Sequence, residues 1–263
     1  MNIFEAIILG LIQGLTEFLP VSSSGHLELG KYLFGIDPEA NFYFSIAVHG
    51  ATVLSTIMVL WKEIAQLTKG LFQFKLNEET LYVAKIFVSM IPTAIAGFFL
   101  KEIAENYFTG NMVALGIQFI ISAGLLLMTF VIRPKERPIS FVDSFIIGIA
   151  QAFAILPAIS RSGATIATGM MLGNKKSEIA KFSFLMVLIP VIGANFFELK
   201  SGDFTTEGTT FMIILAGFIT AFISGYFACK WMIKFVMKGN LVWFAVYCII
   251  VGIFSVLLGM NVI

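Results

Sequence analysis

Of the 263 residues in this chain, 58 % are hydrophobic and 13 % charged, and the formal net charge is +1. Those proportions lie outside the balance of a soluble domain and indicate an integral membrane protein. A sum so near zero gives no basis for a nucleic-acid partner, and the two cysteines, Cys229 and Cys248, sit inside apolar runs, which excludes a disulfide framework or a cysteine metal cluster.

In chain order, residues 3–36 read as two short helical arms broken at 20–25 by Pro20, three serines and Gly25. The first arm has no basic n-region and runs into Glu17 and Pro20 rather than a small-residue cleavage site, so it reads as mature protein and not a signal peptide. Apolar runs follow at 42–61, 86–100 and 112–132, then a second broken segment at 141–173, then runs at 182–197, 208–229 and 241–260. A crossing helix needs ~20 residues. The runs 86–100 and 182–197 fall short of that and count as spans through their flanking charges Lys85, Lys101, Lys181 and Glu198. No separate soluble domain is expected.

Basic residues cluster at Lys62–Lys85, Arg133–Arg137, Lys175–Lys181 and Lys230–Lys238, and the positive-inside rule assigns all four clusters to the cytoplasm. Six spans then alternate consistently. Segment 3–36 must enter and leave from outside, and segment 141–173 from inside. The arms 27–35 and 164–173 cannot cross ~30 Å at 1.5 Å per residue. The predicted fold is an all-α polytopic membrane protein with six transmembrane helices and two re-entrant helical hairpins in an inverted-topology repeat. The first unit is 1–132 and the second 133–263, with the hairpins at 3–36 and 141–173 in one membrane domain.

The broken segments correspond at a constant offset of 138: Gly10 with Gly148, Gln13 with Gln151, Ser22 with Ser160, Ser24 with Ser162, Gly25 with Gly163, and Phe44-Ser45 with Phe182-Ser183. Non-helical backbone at membrane depth is tolerated where it is buried in protein or lines a cavity. The two turns are therefore expected to meet near the midplane and to form a binding site between the halves.

Each turn places serines and a glycine just before a helical arm. Helix N-termini offer unpaired N–H groups and a positive dipole end, which suits phosphate. Ser22, Ser24, Gly25, Ser160, Ser162 and Gly163 are the residues of that pocket, although Ser24 and Ser162 also suit a purely capping role. A guanidinium at membrane depth costs several kcal/mol, so Arg161 needs either a phosphate ligand, whose geometry its fork matches, or an ion pair with Glu17. Glu17 lies four residues after Gln13 on one helix face. That pair suits a divalent cation through oxygen ligands, or Glu17 acts as a base on a serine. His26 is placed to serve as general acid, base or nucleophile. His49 and Asn41 stay open between cavity and packing roles, Asp143 favours a helix start, and Glu198 and Lys200 read as interfacial.

Gln13-x-x-x-Glu17 with Phe18-Leu-Pro-Val-Ser-Ser-Ser-Gly-His26, and Pro157-x-x-Ser160-Arg-Ser-Gly163-Ala-Thr, resemble the two signature motifs of the undecaprenyl-pyrophosphate phosphatase family of the bacitracin-resistance type. The resemblance covers essentially the whole chain. It implies hydrolysis of a polyprenyl diphosphate, undecaprenyl pyrophosphate, to the monophosphate and inorganic phosphate, which recycles the lipid carrier for cell-wall synthesis and confers bacitracin resistance. It implies a divalent cation, Mg²⁺ or else Ca²⁺, at Glu17 and Gln13. It implies a bacterial inner-membrane protein whose site opens to the outer side. By the same resemblance the catalytic residues are Glu17, Ser23, His26 and Arg161, and Gln13, Ser22, Ser24, Ser160 and Ser162 form the pocket. Two positions depart from the family pattern. Position 13 is Gln where many members have Glu, which puts a two-carboxylate metal site in doubt, and position 158 is Ala where Gly is common. The rival reading is a transporter or lipid-carrier flippase, since broken helices in inverted repeats are typical of transporters. The 23 glycines permit close packing within one chain or in a homodimer.

Overall fold

The structure is a computed structural model, and it describes residues 1–36, 42–108, 110–131, 136–201, 210–238 and 241–262. Asn41, Arg133, Lys135 and most of the 200–207 connection lie outside the described residues, as do the side chains of Lys101, Glu198 and Lys200.

The first hairpin is α1 (Ile3–Phe18) and α2 (Ser23–Phe34). The second is α7 (Phe141–Phe153) and α8 (Arg161–Met171). Their starts have a common cause. At α1 the Glu5 N–H donates to the Asn2 side chain while the Asn2 N–H donates to the Glu5 carboxylate. At α7 Ser140 and Asp143 make the same reciprocal pair. Such capping boxes satisfy two orphan donors at once, and Asn2 and Glu5 stand 138 residues before Ser140 and Asp143. The inner arms match too: Ser22 caps α2 by accepting from the Gly25 N–H, and Ser160 caps α8 by accepting from the Gly163 N–H. Past each inner arm a glycine turns left-handed, Gly35 at φ 64° and Gly173 at φ 86°, which costs glycine little.

Between and after the hairpins run α3 (Phe42–Val59), α4 (Trp61–Leu71), α5 (Glu78–Phe108), α6 (Met112–Val131), α9 (Lys176–Ser201), α10 (Phe211–Lys238) and α11 (Val242–Gly259). Among the described residues, five of these are long and apolar enough to cross a membrane: α5, α6, α9, α10 and α11. A sixth span results if α3 and α4, bent by 74° at their junction, count as one. This is a multi-pass, all-helical membrane protein. The helices overrun the predicted spans. The run 86–100 becomes a 31-residue helix and 182–197 a 26-residue one. Charged residues end an apolar run without interrupting backbone hydrogen bonding, and long charged side chains reach water from a buried stem.

The outer arms of the hairpins pack mainly on spans that are not next to them in sequence, while the inner arm α8 contacts its neighbours α6 and α9. α1 lies against α10, α7 against α5, and α6 against α11. Glycine sets the approach. A Cβ at Gly10 would stand 2.4 Å from the Gly217 carbonyl oxygen of α10, and one at Gly148 2.1 Å from the Ser89 carbonyl oxygen of α5. At the α6–α11 crossing Gly116 and Gly252 each face the other's carbonyl. Phe44 and Phe182, equivalent at the offset of 138, are both fully buried. The outcome is that the two hairpin tips are driven together in the protein interior.

Candidate active site

The tips are tied by their own polar groups. Ser22 Oγ donates to the Pro157 carbonyl at 2.9 Å, and Ser162 Oγ donates to the Leu19 carbonyl at 3.2 Å. From α6, Gln118 Oε1 accepts the Ala158 N–H at 2.8 Å, and Ser122 Oγ accepts from the Ser160 N–H while donating to the Ala158 carbonyl. Turns at membrane depth need such partners, because no water is there to supply them. Gly25 packs on Ala158, whose Cβ would be 3.0 Å from an added Cβ. Ser22 holds φ 67°, a conformation costly for a serine and concentrated at functional sites.

The C-terminal turn of α1 carries Glu17 into this contact. Its Oε2 accepts from Gln13 Nε2 at 2.9 Å and from Ser23 Oγ through a short hydrogen bond. Its Oε1 accepts from Arg161 Nη2 of the other hairpin at 3.0 Å. The Glu17 side chain is 11 % exposed and that of Arg161 29 %. Arg161 therefore makes the ion pair with Glu17 that is one of the two sequence alternatives, and it also faces a cavity. That cavity, of about 360 Å³, is lined by Glu17, Ser22, Ser23 and Ser24 of the first hairpin and by Pro157, Ser160, Arg161 and Ser162 of the second, with Ser45, His49 and Asn195 on the wall opposite. A hydroxyl held by a carboxylate, a guanidinium beside it, and two helix N-termini aimed at one space are the parts of a phosphoryl-transfer centre.

Residues 6–254 match the sequence profile described as bacitracin resistance protein BacA. This chain belongs to the BacA family. It is 49 % identical over 260 residues to a protein of Bacteroides fragilis, covering 97 % of this chain and 98 % of the relative. A protein of Parabacteroides distasonis is 48 % identical over the same length, again covering 97 % and 98 %. One of Methanosphaera stadtmanae is 36 % identical over 276 residues, 98 % of each. All three relatives carry the name undecaprenyl-diphosphatase.

Within this BacA-family chain, the residues singled out in sequence fall into three groups. Glu17, Ser22, Ser23, Ser24, Ser160, Arg161 and Ser162 meet at the cavity. Gly25 and Gly163 stand behind it as packing positions, Gly163 next to Ser160 and Pro20. Gln13 is fully buried beside Glu17, and among the described residues its Oε1 has no hydrogen-bond partner.

His26 is turned elsewhere. Its Nδ1 donates to the Ser22 carbonyl at 2.7 Å, and its Nε2 accepts from Tyr247 Oη of α11 at 2.8 Å. The ring stacks on Tyr247, meets Phe119 edge-on, and is 9 % exposed. It reaches the cavity through the backbone of Ser22, not through its own nitrogens. His49, left open in sequence, lines the cavity instead. Ser45 and Asn195 were not singled out for a role there. A lone amide in the apolar run 182–197 was the available signal for Asn195, and the Phe-Ser repeat was the signal for Ser45. Among the described residues no group of three His, Cys, Asp or Glu side chains comes together to hold a metal.

Proposed function

We propose that this chain is an integral membrane phosphatase that hydrolyses undecaprenyl diphosphate to undecaprenyl phosphate and inorganic phosphate. The observation carrying this is the three-residue contact at the tips, in which the Ser23 hydroxyl and the Arg161 guanidinium share the Glu17 carboxylate. Membership of the BacA family and relatives named undecaprenyl-diphosphatase support the same reading. No observation favours a transporter.

In this reading the terminal phosphate lies against the N-termini of α2 and α8, with Arg161 on its equatorial oxygens. Glu17 takes the Ser23 proton as Ser23 Oγ bonds to the terminal phosphorus. The bond from that phosphorus to the bridging oxygen breaks, and its electron pair leaves on undecaprenyl phosphate. Water then attacks the phosphoserine phosphorus, the phosphorus–Oγ bond breaks, Ser23 Oγ takes back the proton held by Glu17, and the protons of the water leave with inorganic phosphate. The strain at Ser22, held by the His26 ring, presents Ser23 to the cavity.

A divalent cation fits the donors present. Glu17 supplies one carboxylate, and Gln13 Oε1 is a buried oxygen left without a partner beside it. Mg²⁺ is usually held by one or two carboxylates plus substrate phosphates. Glu17 and Gln13 would hold it, and when bound it would offset phosphate charge as a Lewis acid.

We further read residues 1–132 and 133–263 as two inverted units, each a hairpin followed by spans. The offset of 138 recurring in both caps, both turns and both left-handed glycines supports this. The lysine clusters support a cytoplasmic side for the loops that carry them, and the family resemblance supports a bacterial inner-membrane setting with the cavity open to the outer side. Recycling the carrier there would serve cell-wall synthesis and confer bacitracin resistance. The test is purified protein in detergent with a prenyl diphosphate and Mg²⁺. Phosphate release that Glu17→Ala and Arg161→Ala both abolish is expected, and release left undiminished by either substitution would sink the reading.

A further inference from the structure

A diphosphate has two phosphates, and the hairpin tips account for one. Arg161 is already paired with Glu17, so the tip pair brings little net positive charge to a substrate carrying more than one negative charge. The opposite wall is built differently. From α3 it carries Ser45 and His49, one helical turn apart, and from α9 Asn195.

The polar groups of that wall are oriented toward the cavity by what lies behind them. His49 Nδ1 donates to the Ser45 carbonyl at 2.9 Å, so Nε2 is the ring atom left for a ligand. Lys31 Nζ donates to Ser45 Oγ at 2.9 Å. The Ser45 oxygen is thereby used as an acceptor, which leaves its proton to donate into the cavity. The Lys31 ammonium stands one bond behind, while Glu28, one turn before it, is turned to the Gly110 N–H. Asn195 lies beside α3 at this level, its Nδ2 3.9 Å from where a Cβ on Gly50 would be. No described residue takes His49 Nε2 or the Asn195 amide. Ile46, Val191 and Ala194 complete the wall, and its polar groups, one hydroxyl, one imidazole and one amide backed by an ammonium, are suited to phosphate oxygens.

We propose that His49 and Asn195, with Ser45 held by Lys31, form the subsite for the second, lipid-side phosphate and make the enzyme select diphosphates over monophosphates. This rests on the phosphatase reading and assigns its other half. The hairpin tips hold the phosphate that is attacked, and the α3–α9 wall holds the one that leaves on the lipid. Both groups are specificity determinants that touch substrate without taking part in bond making.

The test compares wild type with His49→Ala, His49→Gln and Asn195→Ala, each as the full chain in detergent. Farnesyl diphosphate is the diphosphate probe and para-nitrophenyl phosphate the monophosphate probe, with inorganic phosphate as a competitive inhibitor of the tip subsite. Hydrogen bonds to charged groups predict that His49→Ala and Asn195→Ala each raise KM for farnesyl diphosphate about tenfold or more. Turnover of para-nitrophenyl phosphate and inhibition by inorganic phosphate should stay within about twofold, and His49→Gln, which keeps a polar head, should recover part of the loss. Equal losses on both probes, or weakened phosphate inhibition, would assign these residues a general structural role and overturn the subsite. Unchanged KM in both alanine variants would overturn it as well. Wild type that releases no phosphate from farnesyl diphosphate would remove the phosphatase reading itself, a separate result.

Discussion

Gly148→Ala is the substitution that most directly tests how the fold builds the site. The added methyl would lie 2.1 Å from the Ser89 carbonyl oxygen and 2.8 and 2.9 Å from the carbonyl carbon and Cα of the same residue. All three are backbone atoms, so no side chain can swing aside. Close carbon–oxygen approaches between helices run at about 3.3 Å, so α7 and α5 must separate by about 1.2 Å. Overpacking of that kind costs about 1–3 kcal/mol, partly offset by the ~0.5–1 kcal/mol that alanine contributes over glycine in a helix. A lowered melting midpoint in detergent follows. Catalysis should suffer more. α7 leads into the Pro157–Gly163 turn, and a shift of about 1 Å there stretches the 3.0 Å Arg161–Glu17 contact beyond hydrogen-bonding range. Misplacement on that scale costs on the order of 100-fold in rate. The assay is phosphate release from farnesyl diphosphate, with the melting midpoint measured on the same sample. Gly124→Ala is the control, because nothing lies within 4 Å of a Cβ there. A Gly148→Ala protein that melts and turns over like wild type would refute the claim that this helix crossing positions the tips.

Arg161→Ala should lower kcat/KM about 1,000-fold, the scale of losing one preorganised donor at a transition-state oxyanion, and Arg161→Lys should rescue little because a point charge cannot reproduce the fork. Retention of most activity by the lysine variant would count against bidentate phosphate contact. Tyr247→Phe leaves His26 Nε2 without its donor and should lower stability by about 1 kcal/mol, with a loss in kcat/KM smaller than that of Ser23→Ala. A loss as deep as the serine variant's would give the His26–Tyr247 pair a direct part in the chemistry. Chelation with EDTA should stop phosphate release and added Mg²⁺ restore it, and Gln13→Glu should lower the Mg²⁺ concentration needed for half-maximal activity, since a second carboxylate binds the cation more tightly. Full activity in excess EDTA would remove the cation from the mechanism.

Much of the site was legible because it is written in residue types that an apolar chain carries only at a cost. Glu17 and Arg161 stand out in their segments, and the offset of 138 links the segments before any fold is known. Their contact at 3.0 Å is what two uncompensated charges at membrane depth require. Residues without that cost were harder to read. His26 follows the serines directly, yet its ring goes to Tyr247, 221 residues further along the chain. The turn that contains a side chain is local information, whereas the side of the turn facing the cavity depends on what packs against the other side. For the same reason His49 could be placed on a span but not assigned to the cavity, and Ser45 and Asn195 passed without a role.

The amino-acid sequence by itself determined the membrane class, the two broken segments and the two intramembrane charges that need partners, because hydropathy, proline and glycine positions and intramembrane charge are each costly enough to act locally. The tertiary structure alone decided that α1 packs on α10 and α7 on α5, and thus that the two tips share one cavity. That choice depends on where glycines let two backbones approach, a property of both helices at once. It is also why Ser23 and Arg161, 138 residues apart, share one carboxylate while His26, three residues from Ser23, does not.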